Sequence, residues 1–126
     1  MPQIGEIWYF ERSLAAPLAR SLSGRYAVRA LPRSPRSRHA TLPKSSGSRI
    51  VCFADLASDD LASLRRLAQR EPRVRLIGIS RNRAQEQSPD CFATLPRKAA
   101  SSQVRRTVAA AFDNIDLAQR EYATRA

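Results

Sequence analysis

Histidine and cysteine are almost missing from this chain: one histidine, His39, and two cysteines, Cys52 and Cys91, in 126 residues. None of the three stands at a metal-ligand spacing from another, which argues against a zinc site, and the expectation is no metal and no cofactor. His39 lies in a Pro/Ser-rich stretch, a poor place for the base of a histidine-dependent hydrolase. Each cysteine sits inside an apolar run, so two buried thiols in a cytoplasmic protein are expected. No stretch of about 18 apolar residues exists, and no membrane insertion is expected. The opening Met1-Pro2-Gln3-Ile4-Gly5-Glu6 has no charged-then-apolar signal pattern, so secretion is not expected either. Aromatics make up only 6% of the chain, too few for an aromatic-rich base-stacking face. Trp8 and Tyr9 are read as packing residues.

Acid is the other scarcity. Eleven acidic residues face 22 basic ones, for a net charge of +11. The excess is uneven: from Arg12 to Arg49 there are nine basic residues and no acid, whereas residues 50–126 carry +4 and residues 1–11 carry −2. Such a stretch can attract nucleic acid or an anionic surface. The plainer reading is a general preference for arginine, since the chain has 20 Arg and 2 Lys.

What remains is a regular alternation of apolar elements. Ile7–Phe10 is a short β-favouring run. Ser13 can cap a helix in which Pro17 fits the first turn, Leu14, Leu18 and Leu22 form one face, and Gly24 ends it. Tyr26–Leu31 reads as a second strand. Residues 32–49 hold three prolines, five serines and five basic residues, a composition that cannot bury a face and reads as a basic loop. Ile50–Ala54 is the clearest strand and ends at Asp55. Ser58 or Asp59 can cap the next helix, with acids at its start, Arg65, Arg66 and Arg70 toward its end, and Leu61, Leu64, Leu67 and Ala68 as its buried stripe. Val74–Ile79 and Cys91–Leu95 are the fourth and fifth strands, and the polar residues 80–90 between them predict a short helix or none. After a Ser101/Ser102 cap, Val104, Val108, Ala111, Ile115, Ala118 and Tyr122 are spaced 4, 3, 4, 3, 4. This order predicts a three-layer α/β fold with a five-stranded parallel sheet and an extended C-terminal helix. The expected organisation is an α/β body over 1–102, including the loop 32–49, and a last helix over 103–126 that continues toward an output domain of the same polypeptide. In such folds the chemistry lies at the carboxyl ends of the strands, which singles out Glu11 and Arg12, Asp55, Ser80 and Leu95-Pro96.

At those positions the sequence resembles the receiver domains of bacterial response regulators over roughly residues 4–115. The likeness implies a flavodoxin-like sheet in the order 2-1-3-4-5, with an acidic pair after the first strand, a phosphoacceptor Asp after the third, Ser or Thr after the fourth and Lys-Pro after the fifth. Asp55 takes the acceptor place, Ser80 the hydroxyl place, and Thr94-Leu95-Pro96 stands where Thr-Lys-Pro is usual. Glu11 fills one place of the acidic pair and Arg12 the other. Arg12 removes an oxygen donor for a divalent cation and adds positive charge, and Leu95 removes the cation that pairs with a phosphoryl group. Lys98, three residues on, reaches the pocket only if the loop turns back, and an Arg12–Asp55 ion pair can replace metal and phosphate.

The sequence therefore points to a noncatalytic pseudo-receiver of a bacterial signalling protein, with a vestigial pocket of Glu11, Arg12, Asp55, Ser80, Pro96 and Lys98. The output domain implied by the resemblance is a cyclic-di-nucleotide enzyme, a histidine kinase or a transcription activator. A homodimer is expected through a seam of Ile115, Ala118 and Tyr122 beyond the body of the domain. One alternative is a basic nucleic-acid-binding module in which Arg33, Arg36, Arg38, Lys44 and Arg49 contact phosphates. The other is a genuine Asp-phosphorylated receiver.

Overall fold

A computed structural model describes residues 5–10, 13–31, 49–56, 60–80 and 91–125. The elements run β1 (Glu6–Phe10), α1 (Ala16–Arg20), β2 (Ala27–Leu31), β3 (Ile50–Asp55), α2 (Asp60–Arg70), β4 (Val74–Ser80), β5 (Ala93–Pro96) and α3 (Ser101–Arg125). All four strand pairings are parallel, and the sheet order is β2-β1-β3-β4-β5, as the sequence predicts.

Side-chain alternation along the strands divides the core into two layers. On one face, Ile7, Tyr9, Val51, Phe53, Ile77, Ile79 and Leu95 pack with α1 and with Val104, Val108, Ala111, Phe112 and Ile115 of α3. On the other, Trp8, Phe10, Ile50, Cys52, Ala54, Val74 and Leu76 pack under Leu61, Leu64 and Leu67 of α2. Strands buried on both faces explain why the sequence shows continuous apolar runs there rather than alternation with polar residues.

Strands β1 to β4 each shift by one residue at one end from the sequence reading, and three boundaries differ more. Ser13 is not the cap of α1: its carbonyl accepts the Ala16 amide at 3.2 Å in a turn, and the helix starts after Ala15 with no side-chain cap. Pro17 does occupy the first turn, but α1 ends at Arg20, ahead of Gly24, because Leu22 and Ser23 donate to carbonyls three residues back and tighten the chain into turns. Strand β5 starts at Ala93, two residues later than expected, since Cys91 and Phe92 form a bend pinned by the Phe92 amide to the Leu76 carbonyl at 2.8 Å. The expectations for residues 32–48 and 81–90, and the Ser58/Asp59 cap, lie outside the described residues.

The helix α3 does not leave the body where the heptad suggests. Ile115 is fully buried and belongs to the core face, so it is not part of a protruding seam. Phe112 fixes this arrangement. Its ring lies over Gly5, where any Cβ would overlap it, and stacks on Tyr26 with centroids 5.0 Å apart. Two arginines from the sheet reinforce the helix at that level: Arg49 reaches Asp116 at 2.7 Å, and Arg75 Nε donates to Asn114 Oδ1 at 2.8 Å. Ala118 is half-buried, and the side chain of Tyr122 lies outside the described residues.

Candidate functional site: the carboxyl end of the sheet

The strand register assembles the expected site residues. Asp55, last in β3, stands opposite Ile79, and Ser80, last in β4, stands opposite Pro96 of β5. Adjacent parallel strands lie about 4.8 Å apart, so Asp55, Ser80 and Pro96 line one edge.

Asp55 Oδ2 accepts the backbone amide of Leu14 at 3.0 Å. The turn between β1 and α1 is thereby tied to the end of β3, and one carboxylate oxygen is used by main chain. Asp55 Oδ1 is buried and has no hydrogen-bond partner among the described residues. Ser80 is buried, and its carbonyl accepts the Arg97 amide at 3.0 Å, which starts the turn out of β5. The Ala99 amide closes that turn on the Pro96 carbonyl at 3.0 Å.

Lys98 is exposed on this turn and makes no ion pair with Asp55 among the described residues. Leu95, one residue before Pro96, is 2% exposed and packs in the α1/α3 core face. Gly78 lets Leu56 and Cys91 close over β4: a Cβ there would come within 2.6 Å of Leu56 Cδ2. Glu11 and Arg12 lie outside the described residues, so the Arg12–Asp55 pair does as well. No group of three or more His, Cys, Asp or Glu side chains that could hold a metal ion occurs among the described residues.

Of the expected phosphate contacts, Arg33, Arg36, Arg38 and Lys44 also fall outside. Arg49 is described and is committed elsewhere, to Asp116 and to the Phe112 ring, whose centroid lies 5.1 Å from its guanidinium carbon. Its place at the entrance of β3, alongside α3, makes it an internal clamp rather than a free cation. Two participants escaped the sequence reading. The Leu14 amide leaves no mark in sequence because any residue supplies it. Phe112 was legible, since it stands four residues after Val108 and three before Ile115 on the same helical face.

A shallow cavity of about 170 Å³, lined by Ala68, Gln69, Val74, Arg75, Leu76 and Phe92, includes none of the expected site residues. No helix among the described residues is long and apolar enough to cross a membrane.

No family model and no curated protein matches the chain in sequence. Among solved structures it is similar to an adenylate cyclase from Rhodopirellula baltica, with a TM-score of 0.73, 16% identity and 96% of each chain covered. It is similar to NtrX from Brucella abortus in complex with ADP, with a TM-score of 0.70 and 14% identity, over 97% of this chain and 29% of that one. A CheY-like response regulator receiver domain protein from Methanospirillum hungatei JF-1 aligns with a TM-score of 0.65 and 12% identity, over 90% of this chain and 97% of that one. At these identities the likeness is one of fold. The chain has the receiver-like, flavodoxin-like fold.

Proposed function

We propose that the chain is a noncatalytic pseudo-receiver: a regulatory domain of a bacterial, cytoplasmic signalling protein that passes a partner-protein or dimerisation signal to an output domain of the same polypeptide without phosphotransfer. The observation that carries this reading is Leu95. A phosphoryl group on the acceptor Asp needs a nearby cation, and the residue before Pro96 is an apolar side chain sunk in the core face. Lys98 is exposed and unpaired with Asp55, so it does not stand in for the missing lysine.

The donor set does not suit the divalent cation that receiver chemistry uses. Asp55 has one oxygen engaged by the Leu14 amide and one, Oδ1, without a partner among the described residues, and Arg12 takes one of the two acidic places after β1. A hard dication wants several oxygen donors and no adjacent guanidinium. Signalling then rests on a packing change of α3, whose burial links it to the sheet. The burial of Ile115 removes it from any dimer contact, and among the described residues Leu117, 55% exposed, is the large apolar side chain that α3 leaves on its outer face.

The test is a titration with beryllofluoride and magnesium followed by amide chemical shifts. Shifts at Asp55, Ser80 and Leu14 should stay unchanged. Saturable, magnesium-dependent shifts there would restore an Asp-phosphorylated receiver.

A further inference from the structure

Four of the described cations have a named partner. Arg29 lies 3.8 Å from Glu6, Arg49 is paired with Asp116, Arg73 lies 3.7 Å from Glu71, and Arg75 is held by Asn114. Arg20, Arg25, Arg66 and Arg70 are exposed and make no ion pair or hydrogen bond among the described residues; the same holds for Arg97, Lys98, Arg105 and Arg106, which gather where β5 turns into α3. These last four also fall in a stretch, 91–112, that contains no acidic residue.

Their placement runs against helix electrostatics. An α-helix carries partial positive charge at its start, so acids belong there and bases at the other end. Helix α2 follows that rule, opening on Asp60 and closing on Arg70. Helix α3 inverts it, with no acid in its first turn, Arg97 and Lys98 just ahead of it and Arg105 and Arg106 in its second turn. Like charges gathered near a positive helix end repel one another, and a bound anion relieves that repulsion.

We propose that this corner between β5 and α3 binds the phosphate backbone of nucleic acid without reading its sequence. This inference rests on exposed charge alone and holds with or without the pseudo-receiver reading. Three of the four cations are arginines, whose planar fork suits phosphate oxygens. Ser102 stands three and four residues before Arg105 and Arg106, so the hydroxyl shares their solvent-facing side as a further donor to phosphate or sugar. Among the described residues, the large apolar side chains of the corner, Leu95, Val104 and Val108, are buried and do not enter a bilayer, which favours a nucleic acid over a lipid surface. The corner's residues are not those of the basic stretch 32–49.

Binding of the full chain to a ~20-base-pair duplex DNA, measured by fluorescence anisotropy across a salt series, tests this. The variant Arg105→Gln/Arg106→Gln should lose about tenfold in affinity at low salt and about 2 in the slope of log affinity against log salt. The control Arg66→Gln/Arg70→Gln removes the same charge from exposed positions of α2 and should lose less than about twofold. Circular dichroism confirms that both variants fold. Equal losses in the two variants would reduce the effect to net charge and overturn the proposal. So would absence of binding by the wild type, or a loss confined to Arg33→Gln/Arg36→Gln/Arg38→Gln. Phosphatidylserine vesicles supply the remaining arm: loss of vesicle binding in Arg105→Gln/Arg106→Gln, with DNA binding intact, would assign the corner to membranes instead.

Discussion

Arg49 and Asp116, 67 residues apart in sequence, meet at 2.7 Å between the entrance of β3 and the middle of α3. The same guanidinium lies over the Phe112 ring. The pair therefore fastens the helix to the sheet just where its buried stripe ends. Arg49 is 19% exposed and Asp116 37% exposed, so solvent screens part of the attraction. Asp116→Asn, which keeps the shape and removes the charge, should lower the unfolding free energy by about 1 kcal/mol. An unchanged urea midpoint would show that the pair contributes nothing beyond geometry.

Phe112 and Gly5 make a sharper case. Phe112→Ala should cost about 3–4 kcal/mol, the usual penalty for emptying a buried aromatic site. Gly5→Ala should cost about 1–3 kcal/mol in the wild type, because its methyl overlaps the ring. In the Phe112→Ala background that second penalty should largely vanish, because the space is then open. A double-mutant cycle with additive costs would mean that Gly5 is required for some other reason.

The fold was legible because the strands are buried on both faces, so each shows as a continuous apolar run. Ile50–Asp55 and Val74–Ser80 are the clearest cases. The site was legible only as positions. Asp55, Ser80 and Pro96 fall at strand ends because the strand runs end there. That Asp55 is held by the Leu14 amide was not legible, since a backbone donor has no residue type. The heptad on α3 misled for a physical reason. Spacings of 4 and 3 report one continuous face, and they do not say whether sheet or solvent covers its far end. Ile115 is covered by the sheet.

That correction has a consequence for variants of α3. Ile115→Asp should unfold the domain, because it places a charge in a fully buried apolar position. Leu117→Asp, two residues on and 55% exposed, should change stability by no more than about 0.5 kcal/mol. Far-UV circular dichroism and urea unfolding decide between them. A folded Ile115→Asp variant would put Ile115 back on an outer face.

Burial pushes the Cys52 thiol up from its ordinary 9.0 to about 12, while Cys91 is half-buried. The thiolate is the reacting form, so a thiol reagent at pH 8 should label Cys91 first and Cys52 only on unfolding. A raised acid pKa also sets the sign of the pH effect. The contribution is complete below pH 9.0, where the thiol is neutral in both states. It is lost as pH rises toward about 12, because the unfolded chain ionises first. Cys52→Ala should flatten that alkaline loss, and an identical alkaline profile in the variant would assign the loss to other groups.

The decisive position for the pocket is Leu95. If its place before Pro96 were a receiver's lysine site with the cation merely substituted, Leu95→Lys would be tolerated and would supply the missing charge. The packing argues otherwise. Leu95 is 2% exposed, stands opposite Ile79 in the strand register, and lies in the same apolar layer as Val104 and Val108. An ammonium there must give up its hydration inside that apolar layer or drag the end of β5 away from α3. Leu95→Lys should therefore destabilise the domain by about 3–5 kcal/mol, whereas the volume-conserving Leu95→Met should cost less than about 1.5 kcal/mol. Urea unfolding of the two variants measures the difference. Beryllofluoride with magnesium should still leave the Asp55 and Ser80 amides unmoved in the lysine variant. A Leu95→Lys protein as stable as the wild type, with saturable shifts at those amides, would show that the phosphoacceptor pocket is intact and lacks only its cation.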